Sequence, residues 1–285
     1  MNLVLSPKFI LLHSLQAAIA SSTIALKEIP LQRSKDCKRV QYISAIALKL
    51  AKGQQSAMDI AAQIAGHCSE NDENRSFLSR EDFTIKVVPP GMILFELTDV
   101  GVAFWLQSLT SNPQPIGNTE FFQDSDRVFP IQYSHARCCS LLRLAHRERM
   151  ITLDECDRDS CPLLWQLITP KPIPWLDSNH CLRLVHPAEL NLISQLLTTL
   201  DALASLENSE SQALLSINRS VNWIKLANAL SEAFQTFYSQ CRIWGEVKTD
   251  MPKLAQARLG LVIATQSLLR LILQDLLGVF APLEL

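Results

Sequence analysis

The spacing of apolar residues changes character along the chain. Residues 1–26 read as one helix, followed by a polar stretch from Glu28 to Arg39. Tyr42 to Lys52 reads as a second helix and Met58 to His67 as a third, with Ile60, Ala61 and Ile64 at helical spacing. Ser69 to Asp82 is a polar loop. The period then shortens to two. Phe83, Ile85 and Val87 alternate with their neighbours, Pro89-Pro90-Gly91 makes a turn, and Ile93, Phe95 and Leu97 alternate with Met92, Leu94 and Glu96. This pattern predicts a hairpin-like pair of strands. A helix from Asp99 to Leu109 closes the unit.

Thr110 to Asp126 is rich in Pro, Asn, Gly and Ser and reads as a linker. Beyond it the pattern is helical. Ile131 to Arg149 is a helix, and Asp154 to Pro187 is irregular, interrupted by Pro162, Pro170, Pro172 and Pro174. Glu189 to Leu206 carries Leu190, Ile193, Leu197 and Leu200 on one stripe. Val221 to Trp244 carries Trp223, Ala227, Leu230, Phe234, Phe237 and Cys241 on another. Pro252 opens the last helix as a first-turn proline and Gly278 closes it. Arg258 and Thr265 interrupt that helix's apolar stripe. The expected fold is α+β: a small helix/sheet domain over 1–111, a linker over 112–127, and an all-α helical bundle over 128–285.

Composition supports two ordered domains. Hydrophobic residues make up 48% of the 285 and charged residues 19%, which excludes global disorder. The formal net charge is −2. Residues 1–111 hold 11 Lys+Arg against 10 Asp+Glu, and the remainder 15 against 18, so neither part binds nucleic acid through bulk charge. RNA contact would have to come from a local patch. The best one is on the helix after the linker, where Arg143 and Arg147 lie four apart and Arg149 follows. A solvated helix face is the plainer reading of the same residues.

Eight scattered cysteines in a chain of this length point to a reducing, cytoplasmic compartment. Cys156, Cys161, Cys181 and His186 are spaced too widely for a tight zinc pair and read as ordinary thiols. No metal, cofactor or nucleophile–base set is implied. The apolar start, Phe9 to Ala20, is interrupted by His13 and Gln16 and reads as an amphipathic helix rather than a leader. Leu259 to Phe280 is broken by Gln266, Arg270, Gln274 and Asp275, so no membrane span is expected.

Ile131-Gln-Tyr-Ser-His-Ala-Arg137 resembles the QYAHAR-type helix of arginyl-tRNA synthetases. Ala233 to Gly245 resembles that family's AF-x-x-FY-x-x-CRVLG segment. Ala257-Arg-Leu-Gly-Leu-Val262 and Leu277-Gly-Val-Phe-Ala-Pro282 resemble its last helix and tail. More loosely, Tyr42 to Lys52, Met58 to Gly66 and Gly91 to Leu97 resemble its N-terminal tRNA-binding domain. No HIGH-like element, KMSK-like loop or Gly-rich phosphate cradle is present, and the residues between Leu109 and Phe129 are too few for an adenylate-forming domain.

The resemblance therefore implies a non-catalytic tRNA-binding protein that contacts the anticodon region through its DALR-type bundle, with tRNA-Arg as the implied species. Tyr133, Arg137 and Tyr238 are the implied contact residues, with Arg143 and Arg147 beside them. Tyr133 and Arg137 would lie one turn apart on one helical face. Tyr238 could equally be core, beside Phe234 and Phe237. Some positions depart from the family pattern. Pro130 stands where an aromatic is usual, Leu285 ends the chain in place of Met, Met92 and Leu94 replace an aromatic and an Asn, and Gln41 and Ala45 replace an Asp and an Asn. These departures keep a second reading open: a protein-interaction scaffold that retained the fold, lost RNA binding, and associates with a protein partner or with itself.

Overall fold

The computed structural model describes residues 6–19, 26–34, 36, 38–51, 56–69, 82–111, 127–154, 166–207 and 222–285. The expected linker up to Asp126, the polar loop 70–81, Cys156 and Cys161 lie outside these. Two compact units are formed, Leu3–Val102 and Ala103–Leu285.

In the first unit, α1 (Pro7–Ala18) starts at Ser6, whose Oγ accepts from the Phe9 N–H. It ends at Ile19, and Leu26–Glu28 is a separate 3-10 turn, so the single helix expected over 1–26 is corrected. β1 (Leu31–Arg33) lies within the stretch read only as polar. β2 (Gln41–Ser44) occupies the start of the segment read as a second helix, which is reduced to α2 (Ile46–Leu50). The reason is pairing at long range. Tyr42 faces Phe95 and Ser44 faces Ile93 across the sheet, and all four are buried. Four residues show too little periodicity to reveal a partner fifty positions away. α3 (Ala57–Ser69), β3 (Phe83–Val88) and β4 (Met92–Leu97) follow the pattern read from the sequence, as does α4 (Asp99–Ser111), whose residues from Ala103 onward belong to the second unit.

The sheet is antiparallel in the order β1-β2-β4-β3, with α2 and α3 packed on it and α1 on α3. Gly91 turns β3 into β4 with φ +133°, and a Cβ there would come within 2.8 Å of Ala57. The face opposite the core carries Ile43 beside Leu94 and Val88 beside Met92. Toward one end of that face Glu96 is buried. Its desolvation is outweighed by Arg39 and by the Gln41 Nε2 donor at 2.9 Å, which together hold its carboxyl below the usual range.

The second unit is built on α5 (Phe129–Arg147), α6 (Pro187–Glu207), α7 (Trp223–Gln240) and α9 (Pro252–Leu271), with the short α8 (Glu246–Asp250) before α9. α9 packs against α5, α6 and α7 and is buried on every side from Leu259 onward, with Thr265, Gln266, Ser267 and Arg270 buried among its apolar residues. Ile272–Leu276 continues it as a π turn, and Gly278 at φ +63° ends it. Residues Pro252–Leu276 are long and apolar enough to cross a membrane, but 89% of the apolar 18-residue stretch within them is buried inside the protein.

Two expectations are corrected in this unit. The segment read as irregular contains β6 (Gln166–Thr169), which pairs with β5 (Thr152–Asp154). The helix expected over Val221–Trp244 stops at Gln240. Cys241 is extended, and its buried side chain meets His186 Nδ1 at 3.4 Å rather than continuing a helical stripe.

Gly260 explains why a helix interior keeps a residue of low helix propensity. A Cβ there would lie 2.4 Å from the tip of the buried Trp175 ring and 3.0 Å from Ile173. Gln107 Oε1 fixes this segment, accepting from the Ile173 N–H at 2.9 Å and the Trp175 Nε1–H at 3.1 Å. Gly260→Ala is therefore expected to destabilise by about 1–3 kcal/mol despite its better helix propensity. A urea midpoint unchanged or raised by the substitution would refute this packing account.

Candidate nucleic-acid interface

α5 begins without a side-chain cap, and its buried stripe includes Ile131, His135, Cys138, Leu142 and Ala145. That stripe turns Tyr133 and Arg137 outward, where both are exposed, Tyr133 by 48%. α7 runs beside it. Gln235 Nε2 donates to Ser134 Oγ at 3.2 Å, and Arg137 Nη2 donates to the Tyr238 hydroxyl at 2.8 Å. Moving from Ser134 to Arg137 on one helix matches moving from Gln235 to Tyr238 on the other, so the two run parallel here.

The Arg137 guanidinium also lies over the Tyr238 ring, 4.9 Å from its centroid. Phe234 stacks on that ring at 6.3 Å. Tyr238 is thus half-buried, with its ring on the core and its hydroxyl on Arg137. The guanidinium keeps N–H donors beyond the one given to Tyr238, and a planar fork held in place suits a phosphate or a base edge.

The remaining basic candidates differ in setting. Arg143 is turned to the chain's own tail. Its Nη2 donates to the Leu283 carbonyl at 2.8 Å and its Nη1 pairs with Glu284 at 2.8 Å. Arg147 is exposed at the end of α5, and Arg149 follows in a left-handed conformation. Glu148 between them pairs with Lys248 at 2.8 Å. The structure thus joins Arg137 to Tyr238, sets Tyr133 one turn away, and ties Arg143 to the tail.

Among the aromatic rings that were not singled out in the sequence, Phe129 at the start of α5, by 55%, and Phe280 in the tail, by 57%, are also exposed. Their signal was a ring at a position that no apolar stripe required.

Buried groups behind this surface are chemically quiet. Burial pushes the Cys139 thiol up to about 12 and the Cys241 thiol up to about 11, and raises Cys138 well above its ordinary value. Burial pushes His135 down to about 4. Cys181 is exposed, whereas His186 sits with Cys241. Among the described residues no group of three or more His, Cys, Asp or Glu side chains comes together to hold a metal ion.

The model of the DALR anticodon binding domain family matches residues 131–285, which hold all of these side chains but Phe129. The chain belongs to this family. It is similar to the arginine–tRNA ligase of a Synechococcus species, with 34% identity over 155 residues that make up 54% of this chain and 22% of the ligase. The Pelodictyon phaeoclathratiforme ligase is 37% identical and the Moorella thermoacetica ligase 33% identical, each over the same shares. The chain therefore spans about a fifth of the length of these curated relatives (22%), and what it shares with them is their anticodon-binding part. No solved structure matches it.

Proposed function

We propose that this protein is a non-catalytic tRNA-binding protein of the cytoplasm that holds the anticodon region of a tRNA, with tRNA-Arg as the first candidate, on the face formed by α5 and α7. The observation that carries this reading is the exposed Arg137 held by the half-buried Tyr238, a pair that lies within the family match beside the exposed Tyr133 ring. Tyr133 supplies a stacking surface, Tyr238 holds the Arg137 guanidinium in place, and Arg137 supplies a charged fork. Arg147 adds positive charge at the helix end. Arg143 contributes indirectly by securing the tail.

The test is fluorescence anisotropy with a tRNA-Arg transcript and an unrelated tRNA across a salt series. Tyr133→Ala is expected to weaken binding roughly five- to hundred-fold, the range for one lost base–aromatic stack. Arg137→Ala is expected to weaken binding and also to flatten the dependence of log affinity on log salt by about one unit. Equal, weak binding of both tRNAs by all three proteins would sink the reading.

A protein-interaction scaffold is the second reading. It is favoured by the apolar row of Ile43, Leu94 and Met92 on the sheet face opposite the core of the first unit, where hydrogen-bonding side chains would serve RNA better.

A further inference from the structure

The first turn of α5 holds Phe129 in a fixed place without burying its ring. Val128 before it and Ile131 after it are buried, at 2% and 0% exposure. The Ile131 and Gln132 N–H groups both donate to the Val128 carbonyl at 3.0 Å, and Pro130 fixes the backbone φ at the second helical position. Phe129 nevertheless leaves 55% of its surface in water. A hydrophobic residue near a helix start can serve as a staple, packing from the position before the cap onto the fourth helical residue. In α5 those two positions are Arg127 and Gln132, so Phe129 has no such task. A ring left half in water gains little for stability.

From Phe129 to Cys139 the exposed residues of α5 are Phe129, Pro130, Tyr133 and Arg137. Phe129, Tyr133 and Arg137 follow one another at four-residue intervals on one helical face, about 6 Å apart along the axis. The stripe ends in the guanidinium that Tyr238 holds. Two exposed rings in line with one fixed cation fit a run of unpaired nucleotides, whose splayed bases stack on aromatics while their phosphates take the charge. An apolar protein segment would leave the guanidinium donors unmatched. Phe129 lies outside residues 131–285, so the family likeness assigns it no role.

We propose that Phe129 is a base-stacking side chain, which extends the nucleotide-binding stripe of α5 by one base beyond Tyr133. This rests on the tRNA-binding reading above.

The experiment uses the full chain and a tRNA-Arg transcript, by anisotropy across a salt series, with Tyr133→Ala as a reference. Phe129→Ala is expected to weaken binding roughly five- to hundred-fold, with an unchanged salt slope and an unchanged urea midpoint. Phe129→Trp is expected to retain binding. Phe129→Leu, which keeps apolar bulk but has no π face, is expected to lose nearly as much as Ala. The double variant Phe129→Ala with Tyr133→Ala is expected to lose about the product of the two single losses, because each ring takes its own base. If Phe129→Ala binds like wild type while Tyr133→Ala loses binding, the Phe129 proposal is overturned and the tRNA reading stands. A lowered urea midpoint for Phe129→Ala would overturn it too, by showing that the ring is packed. If Leu binds like wild type, stacking is overturned. If the double variant loses no more than either single one, the added base is overturned. If the wild-type chain binds no tRNA at low salt, both readings fall.

Discussion

Arg258→Met is expected to destabilise the helical unit by about 3–5 kcal/mol, the largest single effect foreseen for this chain. Arg258 Nε donates to Glu189 Oε1 at 2.7 Å, with the two side chains only 11% and 1% exposed. Glu189 Oε2 accepts from the His186 N–H at 2.8 Å at the start of α6, and Arg258 also donates to the Arg242 carbonyl. Removing the cation would strand a carboxylate with almost no access to water, and its desolvation would no longer be offset. The intact pair contributes less than this, because its attraction is spent against the same desolvation. Glu189→Gln in the Arg258→Met background is therefore expected to recover part of the loss. A neutral amide can still accept from His186 without burying a charge. Urea midpoints of the three variants measure this, and a loss below about 1 kcal/mol for Arg258→Met would show that the carboxylate reaches water or another partner.

The second large effect is acid sensitivity centred on His135. This ring is fully buried between α5, α9 and the tail. Nδ1 donates to the Pro282 carbonyl, so Nε2 is the acceptor that takes the Gln266 amide at 3.0 Å. Burial is the main reason that its pKa falls to about 4, with Arg270 nearby adding to the fall and the Pro282 carbonyl opposing it. The unfolded chain would protonate this ring near its ordinary value of about 6.5. The folded pKa is depressed, so the stabilisation is complete above about pH 6.5 and is lost as pH falls toward 4. The loss amounts to about 3 kcal/mol, since each tenfold drop in proton affinity on folding corresponds to about 1.4 kcal/mol. His135→Gln is expected to be less stable at neutral pH and to show a flatter profile between about pH 7 and 4. Parallel profiles for the two proteins would mean that His135 is not a source of acid lability.

This histidine also shows what could be read in advance. His135 was visible as part of the Ile131–Arg137 block, but its partners Gln266 and Pro282 lie more than a hundred residues away. Nothing in the local pattern selects a buried, neutral role over an exposed one. The same is true of Arg258 and Thr265. Both interrupt the apolar stripe of the last helix when it is read alone. In the structure Arg258 is matched by Glu189 on α6, and Thr265 Oγ1 donates to the Leu261 carbonyl one turn back. At the candidate interface, Tyr133 and Arg137 could be placed on one face from their spacing. That Arg137 meets Tyr238 required α5 and α7 to pack side by side.

The amino-acid sequence by itself determined the elements whose information is local. The long helices follow from i, i+3 and i+4 apolar spacing, the β3–β4 hairpin from alternation around Pro89-Pro90-Gly91, and the ends of the last helix from Pro252 and Gly278. Its motif blocks also pointed to the family that residues 131–285 match. Only the tertiary structure decided β1, β2 and β6, because a short strand is stabilised by a partner elsewhere in the chain and carries too few residues to display its own period. It alone decided which charges are spent and which stay open. Arg258 and Arg143 are engaged within the protein, whereas Arg137 keeps donors facing water. The physical reason is common to all of these cases. Backbone preference and amphipathic period act between near neighbours, while desolvation, ion pairing and ring exposure depend on which distant segments are brought into contact.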